Sequence, residues 1–244
     1  MILEFDIGNT RCKWRLAEAP ARAGACAVDE LAATLGALPE RAAIARVRAG
    51  CVRGPQVEAA VREAVRDVLG LETAFARPQA VAAGVRNGYA EPQRLGVDRW
   101  LAMLAGFAEI GGAVCVLDCG SAITADLVDA GGEHRGGYIA PGLTMMRASL
   151  LAATDRVRFE AAAAATGAAP GCDTAEAVGG GTLLAAAGFL RAARERFARA
   201  CPGAAVLLTG GEAGPIAGCL EFPASIRPQL VLDGLSPAPP CRPA

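Results

Sequence analysis

The same short pattern occurs twice in this chain: an apolar strand, an aspartate, one further residue, a glycine and small polar residues. The first copy is "LEFDIGNTRCKW" and the second is "VCVLDCGSAITADL", so that Asp6 corresponds to Asp118 and Gly8 to Gly120, 112 positions later. A glycine in a tight turn lets backbone N–H groups approach a ligand, and successive N–H groups with small hydroxyls form a cradle for phosphate oxygens. Because a carboxylate beside such a cradle repels phosphate unless a cation lies between them, the pattern predicts a metal-bound phosphate.

Each copy also has a simpler interpretation, an ordinary Asp-Gly hairpin turn. A single copy favours that interpretation, whereas the pair favours a phosphate site, because two facing copies can hold a nucleotide's phosphate tail from both sides. The standard nucleotide signatures do not occur in the sequence, neither G-x-x-x-x-G-K-[ST] nor G-x-G-x-x-G after a strand. The run "GGGTLL" at 179–184 falls within a predicted helix and indicates close packing, and "LLTGGEA" is a weak candidate for a contact with a base or ribose.

A third stretch, "RNGYAEPQRLGVDRW" at 86–100, concentrates Tyr89, Arg94, Asp98 and Arg99 in a loop that leads into a predicted helix. A carboxylate at this helix start is stabilised by the helix dipole. The alternative is that Asp98 is only an N-cap, which is worth about 1 kcal/mol.

The composition narrows the class of partner. The 24 basic and 25 acidic side chains leave a net charge of -1, which favours a small ligand and predicts no nucleic-acid partner. "MILEFDIGNT" does not resemble a signal peptide, and no apolar run of about 18 residues is present, so we predict a cytoplasmic protein without membrane contact. The nine cysteines contain no C-x-x-C pair and are predicted to be buried reduced thiols. His134, the only histidine, is predicted to lie in a surface loop, which speaks against a His-based triad or metal site.

The elements that position these residues alternate between strands and helices, which predicts an α/β fold with a parallel or mixed sheet in each half. Hairpins are predicted at 2–16 and 113–129, a further strand at 42–52, a strand running into a glycine turn at 205–213, and helices at 55–69, 98–110 and 174–200. Pro55 and Gly70 bound the first helix, and Asp173 with Glu176 resembles a capping box. Residues 136–146 suit loops, and 152–172 are read as part helix and part loop. We expect domains at 1–112 and 113–235 and a disordered tail at 236–244.

Six motifs in order resemble the type III pantothenate kinases over nearly the whole chain, from Met1 to about Leu235. The motifs are "DIGNT", "NGYAEPQRLGVDRW", "DCGSAITADLV", "GGYIAPGLTMM", "TAEAV" and "LTGG". This family belongs to the actin-like ATPase and sugar-kinase superfamily. The resemblance implies two duplicated ribonuclease-H-like (actin-like ATPase) domains, each a mixed sheet flanked by helices, with a cleft between them. The two turns would then face each other across the cleft and hold ATP.

The resemblance also implies an activity, the ATP-dependent phosphorylation of pantothenate to 4'-phosphopantothenate, the first step of coenzyme A biosynthesis. It makes Asp98 the general base, gives Asp6 a role in holding Mg²⁺, partly through water, and makes Asp118 the site of a monovalent cation, K⁺ or NH₄⁺. ATP-binding residues would be Asp6, Ile7, Gly8, Asn9, Thr10, Arg11, Cys12, Lys13 and Ser121. Pantothenate-binding residues would be Tyr89, Gly96, Val97, Asp98, Arg99 and Thr174.

One departure and two alternatives accompany this interpretation. The family's second turn usually reads D-x-G-T, whereas this chain has "DCGS", in which Ser121 keeps the hydroxyl. A kinase for another small hydroxylated metabolite is disfavoured by "NGYAEPQRLGVDRW", and a non-catalytic, nucleotide-sensing regulatory protein by the presence of Asp6, Asp98 and Asp118. Family members are dimers, and the small-residue helix face around 179–181 and Gly188 would let a helix of a second copy approach closely.

Overall fold

The computed structural model describes residues 1–159 and 169–236 of the chain. These residues form two compact units, unit 1 comprising 1–105 and 230–236, and unit 2 comprising the described residues of 106–229. The division falls within a helix, Val97–Ile110, and the segment 230–236 returns to unit 1. The expected tail beyond residue 236, and residues 160–168 of the stretch read as part helix and part loop, lie outside the described residues.

Each unit contains one five-stranded mixed sheet, and the two sheets have the same strand order, β3-β2-β1-β4-β5 in unit 1 and β10-β9-β8-β11-β12 in unit 2. The strands of unit 1 are β1 (Ile2–Ile7), β2 (Cys12–Leu16), β3 (Ala19–Cys26), β4 (Arg46–Cys51) and β5 (Thr73–Phe75), with a separate hairpin of β6 (Val81–Ala82) and β7 (Val85–Arg86). The strands of unit 2 are β8 (Val114–Cys119), β9 (Ala122–Val128), β10 (His134–Pro141), β11 (Ala205–Thr209) and β12 (Ser225–Ile226).

The helices are, in chain order, α1 (Leu31–Gly36), α2 (Pro55–Leu69), α3 (Val97–Ile110), α4 (Leu143–Ala153), α5 (Thr174–Ala200), α6 (Ala213–Ala217) and α7 (Leu230–Asp233), with 3₁₀ turns at Arg41–Ala43 and Pro92–Arg94. Two of them follow their sequence signals closely. The helix α2 begins at Pro55 and ends before Gly70, which has a φ of +67°. At the start of α5, an oxygen of Asp173 accepts from Glu176 N at 2.8 Å, while Glu176 accepts from Cys172 N at 2.8 Å.

The strand directions confirm the internal duplication. In both sheets the strand carrying the aspartate pairs antiparallel with the next strand in the chain and parallel with a later one, β4 or β11. Asp6 and Asp118 both occupy the fifth position of their six-residue strands. Alternate residues of β1, Leu3, Phe5 and Ile7, are fully buried in the core of unit 1, so Asp6 projects from the opposite face. The expected α/β fold with two mixed sheets flanked by helices is confirmed.

Three local predictions are wrong. Residues 136–146 form the edge strand β10 and the start of α4 instead of loops, because β10 pairs with β9 over most of its length. His134 is 4% exposed, and its Nε2 lies 3.0 Å from Asp126 Oδ1, so the histidine is a buried partner of a carboxylate and not a loop residue. Among the eight cysteines described, all free, Cys172 is exposed and Cys201 and Cys219 are half-buried, whereas the other five are buried as predicted.

The predicted strand at 42–52 is shorter in the structure, because a 3₁₀ turn precedes β4. No helix within 1–159 or 169–236 has both the length and the apolar character that crossing a membrane requires.

Candidate active site

The first repeated turn is an exposed four-residue connection between β1 and β2. Ile7 and Cys12 pair across the hairpin, are both buried and anchor the turn, and Gly8 N donates to Arg11 O at 3.0 Å. Asn9, Thr10 and Arg11 at its tip are exposed. The turn therefore presents backbone and small polar groups to solvent, as a phosphate-binding loop requires.

Asp6 lies at the base of this turn, directly opposite Lys13 on β2, and the Lys13 Nζ is 3.9 Å from Asp6 Oδ2. Asp6 is only 9% exposed. This burial raises the pKa of Asp6 to about 6, with Lys13 opposing the shift and the negative charge of Asp98 adding to it. An ionised Asp6 is therefore costly by itself, and additional positive charge beside it would stabilise the ionised form.

A divalent cation fits this environment if a single carboxylate supplies its bond to the protein. In the part of the chain that the structure describes, no three His, Cys, Asp or Glu side chains are grouped so as to hold a metal ion. Mg²⁺ usually keeps several waters and binds through one or two carboxylates plus substrate phosphates, without a cage made wholly of protein. Asp6, a single carboxylate beside an open turn, matches that mode of binding.

Lys13 is the only lysine in the chain, and arginine supplies the other 23 basic residues. The sequence interpretation placed Lys13 in the phosphate loop but did not use this contrast. Lysine carries a compact point charge with three rotatable donors, whereas arginine presents a wide planar fork. The single position at which this arginine-rich chain carries lysine is therefore the position opposite Asp6.

The loop before α3 is organised by Asn87, which sequence reasoning missed. Its buried side-chain amide donates to Gln79 O at 3.3 Å and Pro92 O at 3.2 Å, and its Oδ1 accepts from Tyr89 N at 3.0 Å. The "NG" pair, a dipeptide typical of turns, was the available signal. Because Asn87 bonds to backbone on both sides of the loop, it fixes the segment that carries Tyr89.

Two of the predicted substrate residues meet in the structure. Arg99 is 5% exposed, and its Nη1 donates to the Tyr89 hydroxyl at 2.8 Å. The guanidinium carbon also lies 5.7 Å from the centre of the Tyr89 ring. A buried guanidinium oriented in this way is well suited to binding a carboxylate. Arg94, from the same motif, instead pairs with Glu91 at 3.1 Å on the surface.

Asp98 occupies the first turn of α3, where its Oδ1 accepts from Arg99 N at 2.8 Å. The first helical hydrogen bond runs from Trp100 N to Gly96 O, so Gly96, and not Asp98, is the cap of this helix. A side chain at position 96 would place its Cβ 2.6 Å from Asp98 Oδ1, so any other residue there would require the carboxylate to move from this position. The interpretation of Asp98 as a simple N-cap is therefore not supported.

The second turn is one residue shorter than the first. Cys119 pairs with Ile123, which leaves three residues, 120–122, and Gly120 N donates to Ala122 O at 3.1 Å. The equivalence of the two copies is therefore clear at the aspartates and glycines but not one-to-one at the tips. Asp118 is flanked in register by Thr124 on β9 and Thr209 on β11.

The "LTGG" segment packs against this second turn. Gly210 has a φ of +95°, and a Cβ there would overlap the Cys119 carbonyl and lie 2.5 Å from Asp118 Oδ1. Glu212 N donates to Cys119 O at 2.8 Å. Sequence reasoning missed Glu212; an acidic residue directly after a glycine pair was the available signal.

The predicted substrate residues belong to both units. Tyr89, Gly96, Asp98 and Arg99 belong to unit 1. Val97, which is buried at the start of α3, belongs to the same unit. Thr174 is exposed at the start of α5 in unit 2.

Solved structures with the same fold cover nearly the entire chain. A conserved Baf family protein from Campylobacter jejuni is 18% identical, with a TM-score of 0.57, and the match covers 95% of this chain and 94% of the other. Component A of the (R)-2-hydroxyglutaryl-CoA dehydratase of Acidaminococcus fermentans is 15% identical, with a TM-score of 0.52 and coverage of 97% and 95%. At these identities the likeness shows the fold alone.

Sequence comparison is more specific. A relative from Azotobacter vinelandii described as a type III pantothenate kinase is 40% identical over 252 residues, covering 98% of this chain and 99% of the relative. A second, from Pseudomonas fluorescens and described in the same way, is 41% identical over 250 residues with the same coverage. The family model for type III pantothenate kinases matches residues 2–196. This chain therefore belongs to the type III pantothenate kinase family.

Proposed function

We propose that this protein transfers the terminal phosphoryl group of ATP to the hydroxyl of pantothenate and so forms 4'-phosphopantothenate for coenzyme A biosynthesis. The observation that carries the proposal is the match to type III pantothenate kinases along 98% of the chain at about 40% identity. The structure around Asp98 and Arg99 agrees with it, because a carboxylate in the first turn of α3 is followed in sequence by a buried arginine.

Asp98 is the proposed general base. As the hydroxyl oxygen attacks the γ-phosphorus, its proton passes to the Asp98 carboxylate, the bond to the β–γ bridging oxygen breaks and ADP leaves. The hydrogen bond from Arg99 N to Asp98 Oδ1 holds that carboxylate in one orientation, and Gly96, which lacks a side chain, leaves the space that this orientation needs. Phosphoryl transfer depends mainly on placement and on charge neutralisation, so a fixed base is more useful than a mobile one.

Arg99 is the proposed partner of the pantothenate carboxylate, which it would bind with its planar fork. Tyr89 holds the guanidinium through its hydroxyl, so that the arginine is already oriented before substrate arrives. Gly96, Val97 and Thr174 are proposed as further contacts to pantothenate.

The residues from Asp6 to Lys13 and Ser121 are proposed to hold the ATP phosphates. The exposed turn offers backbone N–H groups, Lys13 adds a compact positive charge, and Ser121 supplies a hydroxyl. Mg²⁺, with Asp6 as its proposed carboxylate partner, would neutralise phosphate charge when bound. Asp118 is proposed to bind K⁺ or NH₄⁺, since its carboxylate lies between two threonine-bearing strands beside Gly210.

The protein is further proposed to act as a homodimer. On α5, Leu184 is 58% exposed, and an added Cβ at Gly181 or Gly188 would meet nothing within 4 Å, so this helix face has space for a second copy. Light scattering that finds a monomer would contradict the dimer. The cytoplasmic location stays a prediction.

The deciding experiment is an assay of ATP consumption with pantothenate and with a panel of other small hydroxylated metabolites, each in potassium and in sodium buffer. We expect turnover with pantothenate and more of it in potassium. Turnover with another metabolite alone would reject the proposed substrate, and equal rates in both buffers would reject the cation site. Tight ATP binding without turnover on any substrate would favour the regulatory alternative.

A further inference from the structure

Three segments that are distant in sequence meet at the second turn. Gly142 N, just before α4, donates to Ser121 O at 3.0 Å, and Glu212 N donates to Cys119 O at 2.8 Å. The turn is therefore held on both flanks by backbone hydrogen bonds, one from the α4 side and one from the segment after β11. The turn is fixed more firmly if those two segments are also joined to each other.

The connection between them is the carboxylate of Glu212. Its Oε2 accepts from Leu143 N at 2.8 Å, and its Oε1 accepts from Thr144 N at 3.1 Å and from the Thr144 hydroxyl at 2.7 Å. Three donors thus converge on one carboxylate. Hydrogen bonds to a charged acceptor are stronger than neutral ones, and an anion at a helix N-terminus is further stabilised by the dipole.

Helix α4 has no cap of its own that could replace this contact. Its N-cap residue is Gly142, which has no side chain to accept from the first N–H groups. Glu212 supplies that cap from 68 and 69 residues away. As a result, the first two N–H groups of α4 are already used and face a carboxylate, so this helix end is not itself a phosphate site.

We propose that Glu212 is a positioning residue for the ATP-binding second turn: by joining the start of α4 to the segment after β11, it fixes the backbone around Gly120 and Ser121. The proposal rests on the proposed function, in which Ser121 contacts the ATP phosphates. Since preorganised donors bind an anion without first being ordered, loosening the turn should weaken ATP binding more than it affects pantothenate binding or the rate of the chemical step.

The test compares the wild-type protein with Glu212→Gln, Glu212→Asp and the control Glu221→Gln. Glutamine keeps the size but turns one acceptor oxygen into an amide that faces an N–H donor, whereas aspartate keeps both acceptors. Glu221 pairs with the exposed Arg191, at 3.1 Å, on the surface of the same unit. The measurements are the Kd for ATP with Mg²⁺ by calorimetry, kcat, both KM values, and deuterium uptake in peptides covering 119–122 and 142–145.

We expect Glu212→Gln to raise the Kd and KM for ATP about tenfold, with kcat at saturating ATP and the pantothenate KM within about twofold of wild type. Deuterium uptake should rise in both peptides, Glu212→Asp should recover most of the affinity, and Glu221→Gln should match wild type. If uptake rises only at 142–145 with an unchanged Kd for ATP, Glu212 merely caps α4 and the proposal is wrong. Equal losses of ATP and pantothenate affinity would also overturn it, since they indicate general destabilisation.

The two proposals fail in different ways. If the wild-type protein binds ATP but phosphorylates no pantothenate, the proposed function is rejected, and the Kd and deuterium uptake still decide the role of Glu212. If the wild-type protein binds no adenine nucleotide, both are rejected.

Discussion

Asp6 and Lys13 are direct partners across β1 and β2, and the Lys13 ammonium nitrogen lies 3.9 Å from a carboxylate oxygen of Asp6. The aspartate is buried at the base of the hairpin, whereas the lysine side chain is 40% exposed beside the open turn. A buried acid and an accessible cation are thus held together at the proposed phosphate site. Their pairing supports predictions on both stability and catalysis.

Replacing Asp6 by asparagine should stabilise the protein at neutral pH. The pKa of Asp6 is raised to about 6, so between about pH 4 and 6 the native state binds more protons than the unfolded state, and stability falls as pH rises through this window. Above pH 6 the free energy of unfolding has fallen by the full amount, about 3 kcal/mol. Asp6→Asn should therefore raise the free energy of unfolding by up to that amount at pH 7.5 and by almost nothing below pH 4.

Denaturant titrations of both proteins at several pH values measure this difference, with Asp29→Asn, at an exposed loop position, as the control. An advantage of equal size at every pH, or a loss of stability at pH 7.5, would contradict the assigned pKa. Activity should fall in the same variant, because the proposed Mg²⁺ partner is lost.

Lys13 should not be replaceable by arginine, although arginine serves at every other basic position of the chain. Lys13→Met should lower kcat/KM for ATP by about 10²-fold or more, since it removes a charge that would neutralise the phosphates. Lys13→Arg should lower kcat/KM for ATP about tenfold, because the planar guanidinium cannot reproduce a compact ammonium beside Asp6. Steady-state kinetics with varied ATP measure both effects.

The matched control is Arg22→Lys, at a surface position of β3 where the arginine pairs with Glu40 at 2.9 Å. It should stay within about twofold of wild type, since surface pairs contribute little. Full activity of Lys13→Arg would show that charge alone matters at position 13.

Asp98→Asn should lower kcat by about 10²–10⁴-fold, the usual contribution of a general base. The binding of ATP and pantothenate should change little, because the amide keeps an oxygen that can accept from Arg99 N. Single-turnover kinetics and calorimetry separate the two effects. Glu91→Gln, an exposed acid in the same loop that pairs with Arg94, is the control. A wild-type rate in Asp98→Asn would remove Asp98 from the role of base.

Arg99→Lys should raise the KM for pantothenate by about 10–100-fold while changing kcat much less. A lysine loses the two-point contact with a carboxylate and the hydrogen bond to the Tyr89 hydroxyl. Initial rates with varied pantothenate provide the measurement, and Arg94→Lys, at an exposed position of the same motif, is the matched variant. An unchanged requirement for pantothenate would reject the proposed carboxylate contact.

Much of the fold and part of the site could be read from local sequence. The bounds of α2 and α5 follow from Pro55, Gly70 and the Asp173–Glu176 pair, because helix caps act within a few residues of the chain. The two aspartate turns were recognisable for the same reason, since a strand, a carboxylate and a glycine adjoin in sequence. Their identical positions in two sheets of identical order confirmed that the repeat is a duplication.

The features that sequence reasoning missed depend on contacts between separate segments of the chain, some near in sequence, as for Asn87 and His134, and some distant, as for Glu212. His134 is buried because its Nε2 pairs with the Asp126 carboxylate on the neighbouring strand. The "GG"-rich stretch forms an edge strand because its backbone pairs with β9. The last described segment returns to unit 1, where Asp233 pairs with Arg15. None of these relationships has a local signature.

The sequence by itself determined the chemical groups of the proposed site. These groups are two carboxylate–glycine turns, the lysine that follows the first turn, and the adjacent residues Asp98 and Arg99. Only the tertiary structure decided what surrounds them, including the burial that raises the pKa of Asp6 and the three hydrogen bonds that converge on Glu212. The physical reason is that burial and long-range hydrogen bonds are properties of packed neighbours, which the order of residues does not show.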